Sequence, residues 1–293
     1  MKRALLVVLV VAFSSPAFAD RIAAPAGGPK VEVLDAGKGA KKQLRFAPKV
    51  GSTSTMVMKT RMNLALTMGG RAMPATDVPE TRMTMDMKVT SVSPSGDVGI
   101  AFTMKKGEVD PAGLPAAVSA MKQVLAKIEG TTGTGVVTNT GITKSADIKV
   151  PASADPQMKE MLDGIKQNMN QLAAPLPQEA VGVGAKWKVT SQISMNGMTL
   201  TQVASFELKD VKGDVVSLAV KIDQKASNQV IVKDGITVDL ISADGAGSGE
   251  QLVDLTKLVP TKASMSLVSK SVMKAGGQGF DMKLTLGMDI ESK

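Results

Sequence analysis

The chain has 293 residues and contains no cysteine, no histidine and no tyrosine; phenylalanine occurs 6 times and tryptophan once. Each absence removes a class of chemistry. Without cysteine there is no disulfide, no thiol nucleophile and no lipid anchor on an N-terminal cysteine, so the fold must stand on packing alone. Without histidine there is no imidazole zinc or copper site and no Ser-His-Asp or Cys-His catalytic set. The scarcity of aromatic rings leaves no stacking platform for nucleic-acid bases. Long apolar runs are also missing. The run Ala4–Phe13 holds ten residues, about half of what a membrane-spanning helix needs.

That run has a different use. Lys2 and Arg3 precede it, Ser14-Ser15-Pro16 breaks it, and Ala17-Phe18-Ala19 supplies small residues where a signal peptidase reads. Residues 1–19 therefore read as an export signal cut after Ala19. The expected destination is the periplasm or the cell exterior, with a mature chain that does not span the membrane and signal peptidase as a partner during export. Lys plus Arg number 35 against 27 Asp plus Glu, a balance of +8. Removing Lys2 and Arg3 leaves a mildly basic mature chain without a polybasic arm. Lys41, Lys42, Arg45, Lys49, Lys59 and Arg61 make its start basic, which with so few aromatics is a solvated face rather than a nucleic-acid site.

Residues 20–42 are rich in Ala, Gly, Pro and Lys and read as a flexible leader, with Val31–Leu34 able to pair weakly. From residue 43 to 291 two-residue alternation dominates, as in a strand with one greasy and one wet face. Met56, Met58, Met62, Leu64, Leu66 and Met68 share one parity, and Lys59, Arg61, Asn63 and Thr67 the other. Met83–Val89 and Val98–Met104 flank Pro94-Ser95-Gly96-Asp97, which predicts a hairpin. Asn196-Gly197 is the strongest hairpin signal in the chain, and Gly213-Asp214 marks another turn. Further strands are expected at Gln229–Val232, Ile236–Ser242, Gln251–Leu255, Ser264–Met273 and Phe280–Ile290. The total is ten to twelve.

A helical insert is expected at about 111–173. Leu114, Val118, Met121, Leu125 and Ile128 form a first helical stripe, with Asp110 as cap. Met158, Met161, Leu162, Ile165, Met169 and Leu172 form a second, capped by Asp155. Gly130–Gly135 and Gly245–Gly249 read as loops. The fold class is thus mainly β with two helices (α+β): a curved antiparallel sheet, or half-open barrel, clasping the helices as a single domain. A two-domain split near residue 180 is the competing arrangement.

The chain holds 20 methionines, most on apolar parities. They suit plain core filling, or a pliable apolar cavity for a lipid. The candidate lining is Met58, Met62, Met85, Met87, Met121, Met161, Ile165, Phe206 and Met282. A Cu(I) thioether site at Met56, Met58, Met83, Met85 and Met87 is the third reading, but alternate spacing is also what burial demands. No metal or cofactor is expected.

Catalytic motifs are thin. Ser119-Ala-Met-Lys122 and Ser271-Val-Met-Lys274 have the spacing of penicillin-recognising enzymes, but no Ser-Asp-Asn or Lys-Thr-Gly accompanies them. Asp86, Asp239 and Asp254 show no pairing for acid/base work. Neither glycine run precedes a phosphate-binding lysine, and Asp244–Gly249 does not match a calcium loop.

Pro175-Leu-Pro177, Val181-Gly-Val-Gly184 and Trp187, followed by the Asn196-Gly197 and Gly213-Asp214 turns, resemble a segment of a group of uncharacterised exported bacterial β-rich proteins. Many of that group look like lipoproteins; this chain departs from them in lacking the cysteine. The resemblance brings no catalytic residues. The layout also resembles, in architecture only, envelope carriers of lipids or lipoproteins with a half-open barrel and a helical lid. The resulting expectation is an exported non-enzymatic protein that binds an apolar ligand in the envelope. The alternative is a structural or protein-interaction module with a solid Met-rich core.

Overall fold

A computed structural model describes residues 28–112, 114–149, 162, 174–195, 197–233 and 236–293. The chain opens with β1 (Lys30–Asp35), β2 (Lys38–Gln43), β3 (Thr53–Met68), β4 (Arg71–Ala72), β5 (Thr76–Val92), β6 (Val98–Met104) and β7 (Glu108–Val109). The helix α1 (Pro115–Ile128) follows, then β8 (Thr132–Val137) and β9 (Thr143–Ile148). The rest is strand: β10 (Ala180–Val183), β11 (Lys186–Met195), β12 (Met198–Lys212), β13 (Val215–Ala226), β14 (Gln229–Lys233), β15 (Ile236–Asp254), β16 (Lys262–Ala275) and β17 (Gln278–Ser292).

Fifteen of these strands form one open antiparallel sheet. Its main order is β1-β11-β12-β13-β15-β16-β17-β3-β5-β6-β8-β9. β2 and β10 make a separate ribbon. The hairpins read from turn chemistry are present. β5 pairs with β6, with Met87 opposite Phe102. Between β11 and β12 the register closes tightly, Met195 opposite Met198, with Gly197 at φ 78° where a side chain would be strained.

Several expectations are corrected. Among the described residues there are seventeen strands and one multi-residue helix. Of the second predicted helix only Leu162 is described; it is helical and buried. Leu114, not Asp110, sits at the N-cap of α1, and it is exposed rather than part of the buried stripe. Asp110 instead accepts a hydrogen bond from the Ala112 amide (2.8 Å), which closes a turn before the helix. Residues 30–35 and 38–42 of the expected leader are in strands, because β1 and β2 find edges on β11 and β10.

Gly130 lies in the turn after α1, but the rest of both glycine runs lies mostly in strands, not loops. Gly133 and Gly135 belong to β8, and Gly245, Gly247 and Gly249 sit in mid-β15. That strand runs unbroken where two were expected. Its glycines serve proximity: a Cβ on Gly247 would lie 2.6 Å from the Ser266 carbonyl oxygen of β16.

The sheet does not close, since β1 and β9 do not pair, but its ends cannot lie far apart. From β11 to β8 there are nine strand spacings, roughly 43 Å if the sheet were flat. Two adjacent residues bridge that span. The Leu176 amide donates to the carbonyl of Thr140, beyond β8, at 2.8 Å. Its neighbour's carbonyl, Pro175, accepts from Trp187 Nε1 on β11 at 2.9 Å. The sheet must therefore curl until both ends reach one short segment.

A second strap runs alongside. The Phe46 amide bonds Asn139 and the Ala47 amide bonds Leu255. Arg45 ties the straps together, donating to the carbonyls of Leu44 (2.7 Å), Pro177 (2.9 Å) and Gln178 (2.6 Å). Burial lowers the Arg45 pKa, and Glu179 opposes that shift. The main core fills the space inside. It joins Val98, Ile100 and Val137 from one end of the sheet to Trp187, Leu208 and Val216 from the other, with Leu44, Phe46 and Leu176 between them. Trp187 stacks on Phe206 at 5.4 Å.

Two outcomes test this arrangement. Trp187→Phe keeps an aromatic ring but leaves the Pro175 carbonyl without its donor, an expected cost of about 1–3 kcal/mol in urea unfolding. An unchanged midpoint would mean that the end-to-end tie is unimportant. Gly247→Ala forces β15 and β16 apart, with an expected loss of about 1–3 kcal/mol; stability equal to the parent would show that the close approach is not needed.

Candidate functional site

Strand parity sorts the sheet into two chemically different faces. The inner face is the parity that carries Trp187, Phe206, Val220 and Met85 into the core. Across β11, β12, β13, β15, β16, β17, β3 and β5 the register carries this parity from strand to strand. One level reads Ile222, Gly247, Leu267, Leu286, Met62. The next reads Gln224, Gly245, Ser269, Leu284, Leu64, and the next Ala226, Ala243, Ser271, Met282, Leu66. No Asp, Glu, Lys or Arg falls on the inner parity of these eight strands among the described residues.

The charges gather on the other side. Arg61 bonds Asp289 and Glu80 (3.3 Å), and Ser264 donates to Asp289 at 2.7 Å, which links four adjacent strands. Asp86 accepts from Thr55 (2.8 Å) and pairs with Lys105 (3.0 Å). Asp97 pairs with Lys144 at 2.6 Å. These partners lower three carboxyl pKa values: Asp289 through Ser264 and then Arg61, Asp86 through Thr55 and then Lys105, and Asp97 chiefly through Lys144. Solvent-exposed pairs of this kind add little stability and chiefly pin register. A cleft of about 400 Å³ opens on this polar side, lined by Thr53, Thr55, Asp86, Lys88 and Thr103 with Met87 and Phe102 beneath. It is not the apolar cavity expected from the sequence.

The inner face divides along its length. Near the straps it is packed solid. Farther out, Met62, Leu64, Leu66 and Met68 of β3 lie beside Leu286, Leu284, Met282 and Phe280 of β17. All eight are only half-buried, and neither buried cluster includes them. A few uncharged polar groups interrupt the apolar surface. Gln224 Nε2 donates to Gln202 Oε1 at 2.8 Å. Ser271 is 5 % exposed, and its hydroxyl has no partner among the described residues.

The nine candidate lining residues therefore separate. Met85, Met87 and Phe206 are buried core, and Met121 of α1 packs against that core. Met58, Met62 and Met282 are half-buried on the inner face, with Met62 and Met282 in the open region. Met161 and Ile165 lie outside the described residues. Leu64, Leu66, Leu284 and Leu286 belong to the same surface but were not selected. Their parity was readable, but the pairing of β3 with β17 was not. The Ser-x-x-Lys candidates come apart: Ser119 and Lys122 are exposed on α1, while Ser271 is buried and Lys274 faces solvent.

Residues 127–257, less than half of the chain, match a family of unknown function (DUF6263). That stretch includes the Pro175–Trp187 segment. Comparison with curated proteins found no match.

The polar face predicts a pH response. Asp86, Asp97 and Asp289 have pKa values below the ordinary carboxyl range in the folded chain. Their stabilisation is complete above the unfolded value of about 3.9 and fades as pH falls through the lower folded values. Thermal midpoints should therefore drop below about pH 4, less steeply in high salt. A midpoint that stayed flat in that range would remove these pairs from the stability account.

Proposed function

We propose that the chain is an exported, non-enzymatic binder of an apolar ligand, the acyl chain of a lipid or lipoprotein, held along the inner face of the curled sheet. One observation carries this reading: eight strands present a continuous face without a charge, and the outer stretch of that face is not taken up by either core cluster. A half-buried apolar surface of that extent gains about 25 cal/mol per Å² when a ligand removes it from water. Methionines there adapt to ligands of different shape. The unpaired Ser271 hydroxyl and the Gln202–Gln224 pair offer hydrogen bonds without charge, which suits an ester or amide linkage beside acyl chains. The curled sheet agrees with the likeness to half-open carriers, and the N-terminal 19 residues supply the export route. A solid structural module is the competing role, favoured by the burial of Met56, Met85, Met87 and Met104 in the main core.

The test is fluorescence titration of the mature chain with a fatty acid carrying a nitrobenzoxadiazole label. Saturable uptake with a blue shift is expected. Leu64→Asp should weaken uptake by about tenfold or more, and the milder Leu64→Gln covers the case in which the first variant fails to fold. Circular dichroism checks the fold of both. No uptake by the parent, or equal uptake by a folded Leu64 variant, would leave the structural module as the better reading.

A further inference from the structure

We propose that the methionines left uncovered on the inner face are modification sites, each taking one oxygen from a peroxide, and that their sulfoxides close the face to acyl ligands. The closing step rests on the proposed acyl-binding reading; the sites themselves do not.

Composition leaves an oxidant few targets. The chain has no cysteine, histidine or tyrosine, and Trp187 has no exposed surface. Methionine thioethers are therefore the readily oxidised side chains that a peroxide dissolved in water can reach.

The fold sorts these thioethers. Met56, Met85, Met87 and Met104 are buried in the main core. Met83, Met121 and Met265 pack against that core, and Met198 and Met273 against the second cluster. Met58, Met62 and Met68 of β3 and Met282 and Met288 of β17 are half-buried and belong to neither group. Register gathers these five along one seam. Met288 faces Thr60, between Met58 and Met62, while Met282 faces Leu66 and Met68 faces Phe280. All five share the uncharged parity. Met73, 38 % exposed, is an exposed reference in the same chain, its amide bonding the Leu66 carbonyl at 2.8 Å.

The chemistry needs no further group from the protein. A sulfur lone pair attacks one peroxide oxygen, the S–O bond forms and the O–O bond breaks. The displaced hydroxide takes up a proton and leaves as water. Sulfur is oxidised by two electrons and the peroxide reduced by two. The product carries a strongly polar oxygen where an acyl chain would lie. Met62 faces Leu286 on one side and Val78 on the other, and neither side chain offers a donor. A ligand covering that sulfoxide would strip its water and leave it unpaired. Met282 lies directly opposite Ser271, whose hydroxyl has no partner among the described residues. That hydroxyl can donate to the new oxygen, which takes it away from a ligand. The core methionines are shielded, so the face changes polarity while the packing beneath it stays.

The experiment treats the mature chain with hydrogen peroxide and follows each methionine by peptide mass spectrometry. The five seam methionines should oxidise on the timescale of Met73, and Met56, Met85, Met87 and Met104 about tenfold or more slowly. Circular dichroism should show the treated chain folded, and titration with the labelled fatty acid should show affinity lower by about tenfold or more. A variant with all five changed to leucine keeps the apolar volume without the sulfur. Whatever its starting affinity, peroxide should leave it unchanged. Met62→Leu/Met282→Leu covers the case in which the fivefold variant fails to fold; it should lose less on treatment than the parent. Equal oxidation rates for core and seam methionines overturn the sites. A folded, oxidised chain that binds as before, or leucine variants that lose as much as the parent, overturns the closing step. A parent that takes up no label before treatment refutes the acyl-binding face and the closing step with it, while the order of oxidation decides the sites by itself.

Discussion

The structure depends on a sheet that is curled but not closed. Its edge strands never pair, so no strand ladder joins the ends. Packing and a few specific bonds do so instead. Pro175 and Leu176 span from Thr140 to Trp187, and Phe46 and Ala47 span from Asn139 to Leu255. The core exists only because these straps draw two distant groups of strands around one space. Trp187 is both a ring in that core and the donor that anchors a strap, which gives the single tryptophan its role.

Curling has a chemical consequence. A flat sheet with one greasy side needs a second layer, but a curled one covers much of that side with itself. Coverage is complete near the straps, where both ends meet, and thins along the longest strands. β3, β15, β16 and β17 extend past the core, and their apolar parity continues unchanged to the turns. The other parity carries the Ser264–Asp289–Arg61–Glu80 ladder and similar pairs, which hold register on the wet side. The sheet is thus uncharged within and charged without, and it has more apolar length than its core consumes.

Most strands could be read directly from the chain. Alternation of greasy and wet residues marked β3, β5, β6, β11, β12, β13, β16 and β17, and Asn196-Gly197 and Gly213-Asp214 marked their turns. The misreadings share a cause. Gly245–Gly249 has no side chains to alternate, so a strand chosen for close backbone approach looked like a loop. Residues 30–35 and 38–43 are mostly polar or small and become strands only because β11 and β10 offer them edges. Asp110 had the right chemistry for a helix cap but spends its carboxylate on a turn four residues too early.

Local spacing along the chain was enough to decide which residues share a face, where hairpins turn and which chemistries are absent, because a strand's period of two and a turn's steric demands act over a few residues. It could not decide that β17 lies against β3, more than two hundred residues away in sequence, or that Pro175 and Leu176 join opposite ends of the sheet. Those neighbours follow from strand order and curvature, set by the whole set of pairings at once. The uncharged face is therefore written in parity along each strand and becomes one surface only when the distant strands are laid side by side.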